Sequence, residues 1–294
     1  MIGEVLLESV YDTLRMLPVL VPVYILLEYL SHREVPGLVR RFRLGGPAGP
    51  LVGTLLGIIP QCSMSVLVTS LFASGRVSLG TVLATYLATS DEALPLMIAE
   101  GRHARVIVVF VALKVVIAIA AGYLADLVLG RRYAELPPTG HVIHSHTESV
   151  SWKEIVFHGV RHSAIVTAWV FSATFLLGLM LAFGPGRIEW LAGAGGTGTG
   201  TAWWAVPRVA IVTLFGMIPN CAASVAITEA FLKAGLPFGT AVAGLSAGAG
   251  FGPIVLLREA KLRQALTVLV WLAAVAMAAG LAIDLWYPYS LPVR

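Results

Sequence analysis

Charged residues are scarce in this chain. Asp, Glu, Lys and Arg make up 12% of its 294 residues, while hydrophobic residues make up 57%. An ordinary soluble domain carries about 25% charged residues. Several apolar stretches also approach the ~20 residues that a helix needs to cross a bilayer. We therefore predict an all-α polytopic membrane protein, with the lipid bilayer as its surroundings.

Cysteine is scarce as well. Two cysteines, Cys62 and Cys221, do not define a disulfide framework, and both lie inside apolar stretches.

The glycine-rich segment 192–200 lacks the Gly-Lys-Ser/Thr ending of a phosphate-binding loop. The net charge of +4 concerns membrane orientation, because basic residues gather in cytoplasmic loops. We predict no cofactor and no nucleic-acid partner.

One short motif occurs twice. Residues 57–66 read Gly-Ile-Ile-Pro-Gln-Cys-Ser-Met-Ser-Val, and residues 216–225 read Gly-Met-Ile-Pro-Asn-Cys-Ala-Ala-Ser-Val, an offset of 159 (216 − 57). The same offset pairs Ala88 with Ala247. After one residue of slip, Asp126 pairs with Asp284. The chain therefore consists of two copies of one unit.

The copies divide the chain into three parts. Residues 1–130 form the first membrane repeat, residues 131–161 a polar linker that contains histidines, and residues 162–294 the second membrane repeat. In the first repeat, apolar runs at 47–59 and 61–75 meet at Pro60, and Pro219 is its counterpart. Each run is too short to cross comfortably at about 1.5 Å per residue, and proline ends the preceding turn. We predict half-helices that line a cavity.

The other apolar runs are predicted to be continuous helices. They include residues 79–99, 163–183 and 238–257. Each repeat then contains five apolar segments and crosses the membrane an odd number of times, so that the second copy is inverted. Two inverted five-segment repeats, with broken half-helices meeting at the midplane, are the plan of many secondary transporters.

The basic residues predict the orientation. The loop Arg33–Arg43 is the densest basic loop, and the positive-inside rule places it in the cytoplasm. The linker 131–161 then lies in the cytoplasm too, and both termini lie outside. This arrangement puts 12 Lys and Arg residues inside and seven outside. We predict location in the plasma (inner) membrane.

Polar residues at the breaks are the candidate substrate site. Asp91 and Glu92 are adjacent carboxylates in an apolar run, where charge is costly and usually functional. The aligned residues of the second repeat are Gly250 and Phe251, so the carboxylates belong to one half. A purely structural ion pair, for example of Glu92 with Lys114, is the alternative. The predicted substrate-binding residues are Pro60, Gln61, Cys62, Ser63, Ser65, Ser90, Asp91, Glu92, Pro219, Asn220, Cys221 and Ser224.

Three ligand chemistries are open at this site. The thiols of Cys62 and Cys221 suit soft or thiophilic metals, whereas carboxylates and amides suit manganese or magnesium, so the predicted metal ligands are Cys62, Asp91, Glu92 and Cys221. Small cysteines packed at helix crossings are the alternative. Half-helices that begin at Gln61 and Asn220 direct positive dipole ends inward, which suits an anion. In the linker, His141, His144 and His146 either bind a metal ion or belong to a solvated segment.

The motifs also carry a family resemblance. Ile-Pro-Gln-Cys, Ile-Pro-Asn-Cys and the run Leu-Ala-Thr-Ser-Asp-Glu-Ala-Leu-Pro at 87–95 resemble a ten-helix family of heavy-metal or arsenic exporters, some of them described as manganese transporters. The resemblance covers nearly the whole chain and implies the membrane fold and metal export. Ala222 stands where the first motif has Ser63, so the hydroxyls are not used symmetrically. The residues carried over are Pro60, Gln61, Cys62, Asp91, Glu92, Pro219, Asn220 and Cys221.

We therefore predict a secondary active transporter that exports a metal ion or metalloid and is coupled to protons. The first alternative is a transporter of phosphate, another oxyanion or a phosphate-bearing lipid. The second is an intramembrane enzyme using Ser63 or Cys62 with Asp91, but no recognised catalytic signature surrounds these residues, so we predict no enzyme. A pore subunit would show its symmetry between the chains of an oligomer, whereas here the repeat lies within one chain. The predicted partners are a small inorganic ion and protons, with a homo-oligomer left open.

Overall fold

The computed structural model describes residues 47–60, 62–90, 92–101, 104–133, 152–183, 202–219 and 221–286, with scattered positions between 3 and 29. These residues form helices joined by short connections, and no strand occurs among them. The predicted all-α class is therefore confirmed for the described ranges.

Eleven helices follow one another in these ranges, with the linker between the fifth and the sixth. They are α1 (Gly49–Ile58), α2 (Cys62–Ala73), α3 (Leu79–Ala88), α4 (Ala93–Glu100), α5 (Ala104–Tyr133), α6 (Trp152–Phe183), α7 (Ala202–Gly216), α8 (Cys221–Lys233), α9 (Phe238–Ala247), α10 (Gly252–Glu259) and α11 (Leu262–Trp286). Both ends of α3 and α9 are separated by 159 residues (238 − 79 and 247 − 88), and so are both ends of α4 and α10 (252 − 93 and 259 − 100). The sequence repeat is thus matched by a repeat of helix boundaries.

The predicted breaks at the two motif prolines are confirmed. Helix α1 ends at Ile58 and α2 begins at Cys62, with Ile59 in extended backbone at ψ 115°. In the second half, α7 ends at Gly216 and α8 begins at Cys221. Proline has no amide hydrogen and its ring clashes with the preceding turn, so each apolar stretch divides at this point.

The predicted continuity of 79–99 and 238–257 was wrong. The first run divides between α3 and α4, and the second divides between α9 and α10. Pro95 and Pro253 lie in the first turns of α4 and α10, where the missing amide hydrogen costs no helical hydrogen bond. In a continuous helix each would remove one, so these prolines favour a new start. Gly250 adds a left-handed backbone at φ 55°, which a continuing helix does not adopt. The described part of each half therefore contains two breaks.

The linker is helical at both ends. Helix α5 continues past Gly130 to Tyr133, and α6 begins at Trp152 rather than near Ser163. Glu154 lies in the first turn of α6, where a negative charge interacts favourably with the helix dipole. Residues 134–151, with the three linker histidines, lie outside the described residues.

The two halves interlock. Helix α10 packs on α2 and α4 packs on α8, so each short helix after the second break contacts the opposite half. Helix α11 also packs on α3, and α9 contacts both α3 and α5. One buried cluster includes Leu56 of α1, Tyr86 of α3, Ala247 of α9 and Leu272 of α11. The halves thus share a core and do not form separate bodies.

Glycines allow equivalent helices to approach closely in both halves. A Cβ on Gly57 would overlap the Thr85 carbonyl, and a Cβ on Gly216 would overlap the Gly244 carbonyl, the same pair displaced by 159. Gly80 meets the Gly122 carbonyl in the same way. Only a residue without a Cβ permits such contact between backbones.

Candidate functional site at the helix breaks

The four breaks lie close together. At the end of α1, a Cβ on Gly57 would contact both the Thr85 carbonyl and the Ala88 side chain at the end of α3. In the second half, a Cβ on Gly248 would lie 3.4 Å from the Gly216 carbonyl. Gly252, the first residue of α10, faces Tyr86 and Ser65 of the first half. The breaks therefore meet across the boundary between the halves.

The structure places six of the predicted site residues around these breaks. Ser65, Ser90 and Glu92 are buried, with Glu92 only 2% exposed at the cap position before α4. The others, Pro60, Pro219 and Ser224, are half-buried. The side chains of Gln61, Cys62, Ser63, Asp91, Asn220 and Cys221 lie outside the described residues. Their roles stay predictions.

Two linked hydroxyl groups, of Thr69 and Tyr86, connect α2 with α3 close to the second half. The Thr69 hydroxyl is 2.5 Å from the Ser65 carbonyl, to which it donates, and 2.6 Å from the Tyr86 hydroxyl. Tyr86 is fully buried and contacts Gly252 at the start of α10. Polar side chains at this depth need such partners, because an unpaired buried hydroxyl is costly.

Lys114 supplies a positive charge beside the breaks. It lies in α5, is 1% exposed, and donates hydrogen bonds to the carbonyl oxygens of Thr89 and, at 2.8 Å, Leu245. Its Nζ lies 5.3 Å from the centre of the Phe110 ring. Sequence reasoning singled out Lys114 as a partner for Glu92, and that pairing stays a prediction.

Glu229 is a buried carboxylate that the sequence reasoning missed. Its Oε2 lies 3.0 Å from Lys233 Nζ, one helical turn along α8, and accepts a 3.2 Å hydrogen bond from Thr174 of α6. The aligned residue of the first half is Ser70 (229 − 159). The available signal was an acid placed four residues before a lysine at the end of an apolar run.

Asp126 and Asp284 hold equivalent helix starts. Asp126 accepts hydrogen bonds from the Ser78 hydroxyl and the Gly80 amide, both at 2.7 Å, before and within the first turn of α3. Asp284 accepts a 2.6 Å bond from Thr240 in the first turn of α9 and forms an ion pair with Arg208. Carboxylates stabilise helix amino termini. These contacts give both residues a structural role.

Among the side chains that the structure describes, no three of His, Cys, Asp and Glu lie together as a metal site would require. The predicted metal ligands Cys62, Asp91 and Cys221 are outside that set, as are the linker histidines. The metal prediction therefore rests on the residue types and on Glu92, the ligand candidate whose burial is described.

The exposed side chains indicate whether the protein lies in water or in lipid. Three segments of the described chain are long and apolar enough to cross a bilayer: Ala104–Leu129, Phe238–Glu259 taken across its break, and Leu262–Trp286. Large apolar side chains such as Val116, Leu127 and Val270 are exposed on α5 and α11. Water does not favour an apolar surface of this extent, whereas lipid does. The fold and the buried breaks define an integral, polytopic α-helical membrane protein.

The chain belongs to the ArsP_2 family, described as "Putative, 10TM heavy-metal exporter", whose family model matches residues 4–192. The predicted family is thereby confirmed, and it supports metal transport in general. The match contains the first motif and the run 87–95 but ends before the second motif. Searches of curated proteins and of solved structures gave no match.

Proposed function

We propose that this protein is a secondary active transporter that exports a metal ion or metalloid. Two inverted halves, residues 1–130 and 162–294, alternate access around the four helix breaks. The observation that best supports this transport function is that the breaks recur at matching positions in both halves and pack against one another. Family membership supports the substrate class.

The breaks create polar groups where a bilayer offers none. Each broken helix leaves carbonyl groups at its carboxyl end and amide groups at its amino end without helical partners. Such backbone survives at membrane depth only when it is enclosed by protein or lines a water-filled cavity. Four breaks gathered in one core therefore favour a central substrate site, to which we assign the motif residues predicted from the sequence.

The ligand set proposed for the metal is asymmetric. Glu92 caps α4 at the second break, and its neighbour Asp91 precedes it in the chain. The corresponding break in the second half has Gly250 and Phe251. We infer that Asp91 binds the cation and that Glu92 supports it through a charged partner, with Cys62 and Cys221 contributing thiolates to a thiophilic metal.

The membrane placement follows from the basic residues. We propose that the protein lies in the plasma (inner) membrane with its linker in the cytoplasm and both termini outside. A cysteine introduced near residue 140 should then react with a membrane-impermeant maleimide only after the cytoplasmic side is opened. Labelling from outside in intact cells would contradict this topology.

An anion is the second candidate substrate. Helices α2, α4, α8 and α10 all begin at the breaks, and helix amino termini bind anions through their free amide groups. The test uses purified protein in liposomes, with a panel of divalent metals, arsenite and phosphate. Saturable uptake of a metal or arsenite supports the first proposal. Saturable uptake of phosphate alone supports the second, and uptake that never saturates contradicts both.

Proton coupling is proposed to use Asp91. Asp91→Asn keeps the size of the side chain and removes its charge, so proton-driven transport should fall at least about tenfold while the protein stays folded. Glu92→Gln should mainly lower the melting temperature, because we assign Glu92 a charged partner such as Lys114. The measurement is metal flux across roughly pH 5.5 to 8, because flux driven by a proton gradient changes with pH on both sides of neutrality. Wild-type flux in both variants across this range would end the coupling proposal.

A further inference from the structure

Two helix breaks, one from each half, are bridged by a single buried ammonium group. Lys114 Nζ donates to the carbonyl of Thr89, which caps the carboxyl end of α3. It also donates to the carbonyl of Leu245, which lies in the last turn of α9. The lysine itself comes from α5, which packs against both helices. One positive charge thus holds the ends of the first half's α3 and the second half's α9.

A helix break leaves carbonyls such as these without helical hydrogen-bond partners. The last four carbonyls of a helix have no partner within it, and they carry the negative end of the helix dipole. The amide of Ala93, which would reach Thr89 in a continuous helix, donates to Ser90 at 2.9 Å. Two converging carbonyl groups at negative helix ends form the kind of environment that binds a small cation.

In transporters built from broken helices, the carboxyl ends of half-helices and unwound carbonyls coordinate the coupling cation. Here the compact, singly charged ammonium of Lys114 lies against such groups, with the Phe110 ring on another side. The aligned residue of the second half is Leu272 (114 + 158), which is fully buried. The second half therefore has no lysine at the matching position.

We propose, on the premise of the transport function above, that Lys114 is a built-in substitute for a monovalent metal cation. It is a positioning residue: its ammonium joins the ends of α3 and α9 and fixes the breaks around the substrate site. The consequence is that the protein needs neither Na⁺ nor K⁺ to fold or to transport. Removing the ammonium while leaving its space open should create that requirement.

The first test measures stability and does not depend on the transported substrate. Wild type, Lys114→Ala and Lys114→Met are purified in detergent, and their melting temperatures are compared in NaCl, KCl and choline chloride at equal ionic strength. Choline has more heavy atoms than Lys114→Ala removes, so it should not fit the vacated space. Lys114→Ala should melt below wild type in choline and rise by about 3 °C in Na⁺ or K⁺ at roughly ten times the dissociation constant. Wild type should melt at the same temperature in all three salts.

Lys114→Met is the matched control. Its unbranched side chain fills most of the space without a charge, so it should also be less stable than wild type but should gain nothing from Na⁺ or K⁺. If Lys114→Ala cannot be purified, Lys114→Ser carries the same comparison. An equal response of the alanine and methionine variants would contradict the proposal, because the salt effect would then not arise in the vacated space. So would an alanine variant that ignores the cation or a wild type that depends on it.

The second test measures flux. In liposomes, metal transport by Lys114→Ala should be lost in choline and recovered at least about tenfold by Na⁺ or K⁺, while wild-type flux is the same in all salts. If wild type transports no metal, the transport function fails, and the melting temperatures still decide whether Lys114 replaces a cation. If wild type transports and the alanine variant is inactive in every salt, the substitution proposal fails alone.

Discussion

The buried ion pair of α8 makes a quantitative prediction. Glu229 is fully buried, while the side chain of Lys233 is 14% exposed. Lys233→Met removes the positive partner of Glu229. The carboxylate stays buried and keeps the hydrogen bond that it accepts from Thr174. Removing one partner of a buried pair costs about 3–5 kcal/mol, because the remaining charge is uncompensated. We expect the free energy of unfolding to fall by this amount.

The opposite variant should cost less. Glu229→Gln leaves Lys233, whose partly exposed ammonium can turn toward water, so we expect a loss of about 1–3 kcal/mol. The double variant should lose much less than the sum of the two, with a coupling energy of about 1–3 kcal/mol. The assay is unfolding of the detergent-solubilised protein by added SDS, followed by tryptophan fluorescence. Lys153→Met, at an exposed lysine of α6, is the matched control and should leave stability unchanged.

Additive effects would refute this reasoning. If Lys233→Met costs less than about 1 kcal/mol and the double variant equals the sum of the singles, the 3.0 Å contact does not stabilise the fold. A loss in Lys153→Met as large as in Lys233→Met would show that removal of any lysine has this effect.

Two further predictions test the packing at the breaks. Gly216→Ala places a Cβ against the Gly244 carbonyl and should lower stability by about 1–3 kcal/mol, whereas Gly248→Ala, whose nearest atom would lie 3.4 Å away, should change it little. Melting temperatures measure both, and the reverse order would contradict the packing. Tyr86→Phe removes the hydroxyl that meets Thr69 at 2.6 Å and should cost about 1 kcal/mol, because Thr69 keeps its carbonyl partner. A melting temperature equal to wild type would show that this bond contributes nothing.

Hydrophobic side chains and prolines act locally, and this is why much of the fold can be read from the sequence alone. The apolar runs predicted helices, and the repeated motif predicted two copies of one unit; the boundaries of α3 and α9, which lie 159 residues apart at both ends, agree with such a repeat. Pro60 and Pro219 predicted two of the four breaks, since each lies between two apolar runs too short to cross the bilayer and proline has no amide hydrogen to continue the helix. The same motifs identified the family, because the residues of each motif are contiguous in the chain.

The second pair of breaks was missed because Pro95 and Pro253 lie inside runs that are otherwise helical, and a proline in the first turn of a new helix reads like a proline in a continuous one. The sequence could not show which residues far apart in the chain contact each other. The Lys114 ammonium meets a carbonyl 131 residues away in the chain. Backbone carbonyls carry no residue signature, so no sequence pattern marks them as its partners. Only the packing of the two halves decides that the ends of α3 and α9 converge on one positive charge.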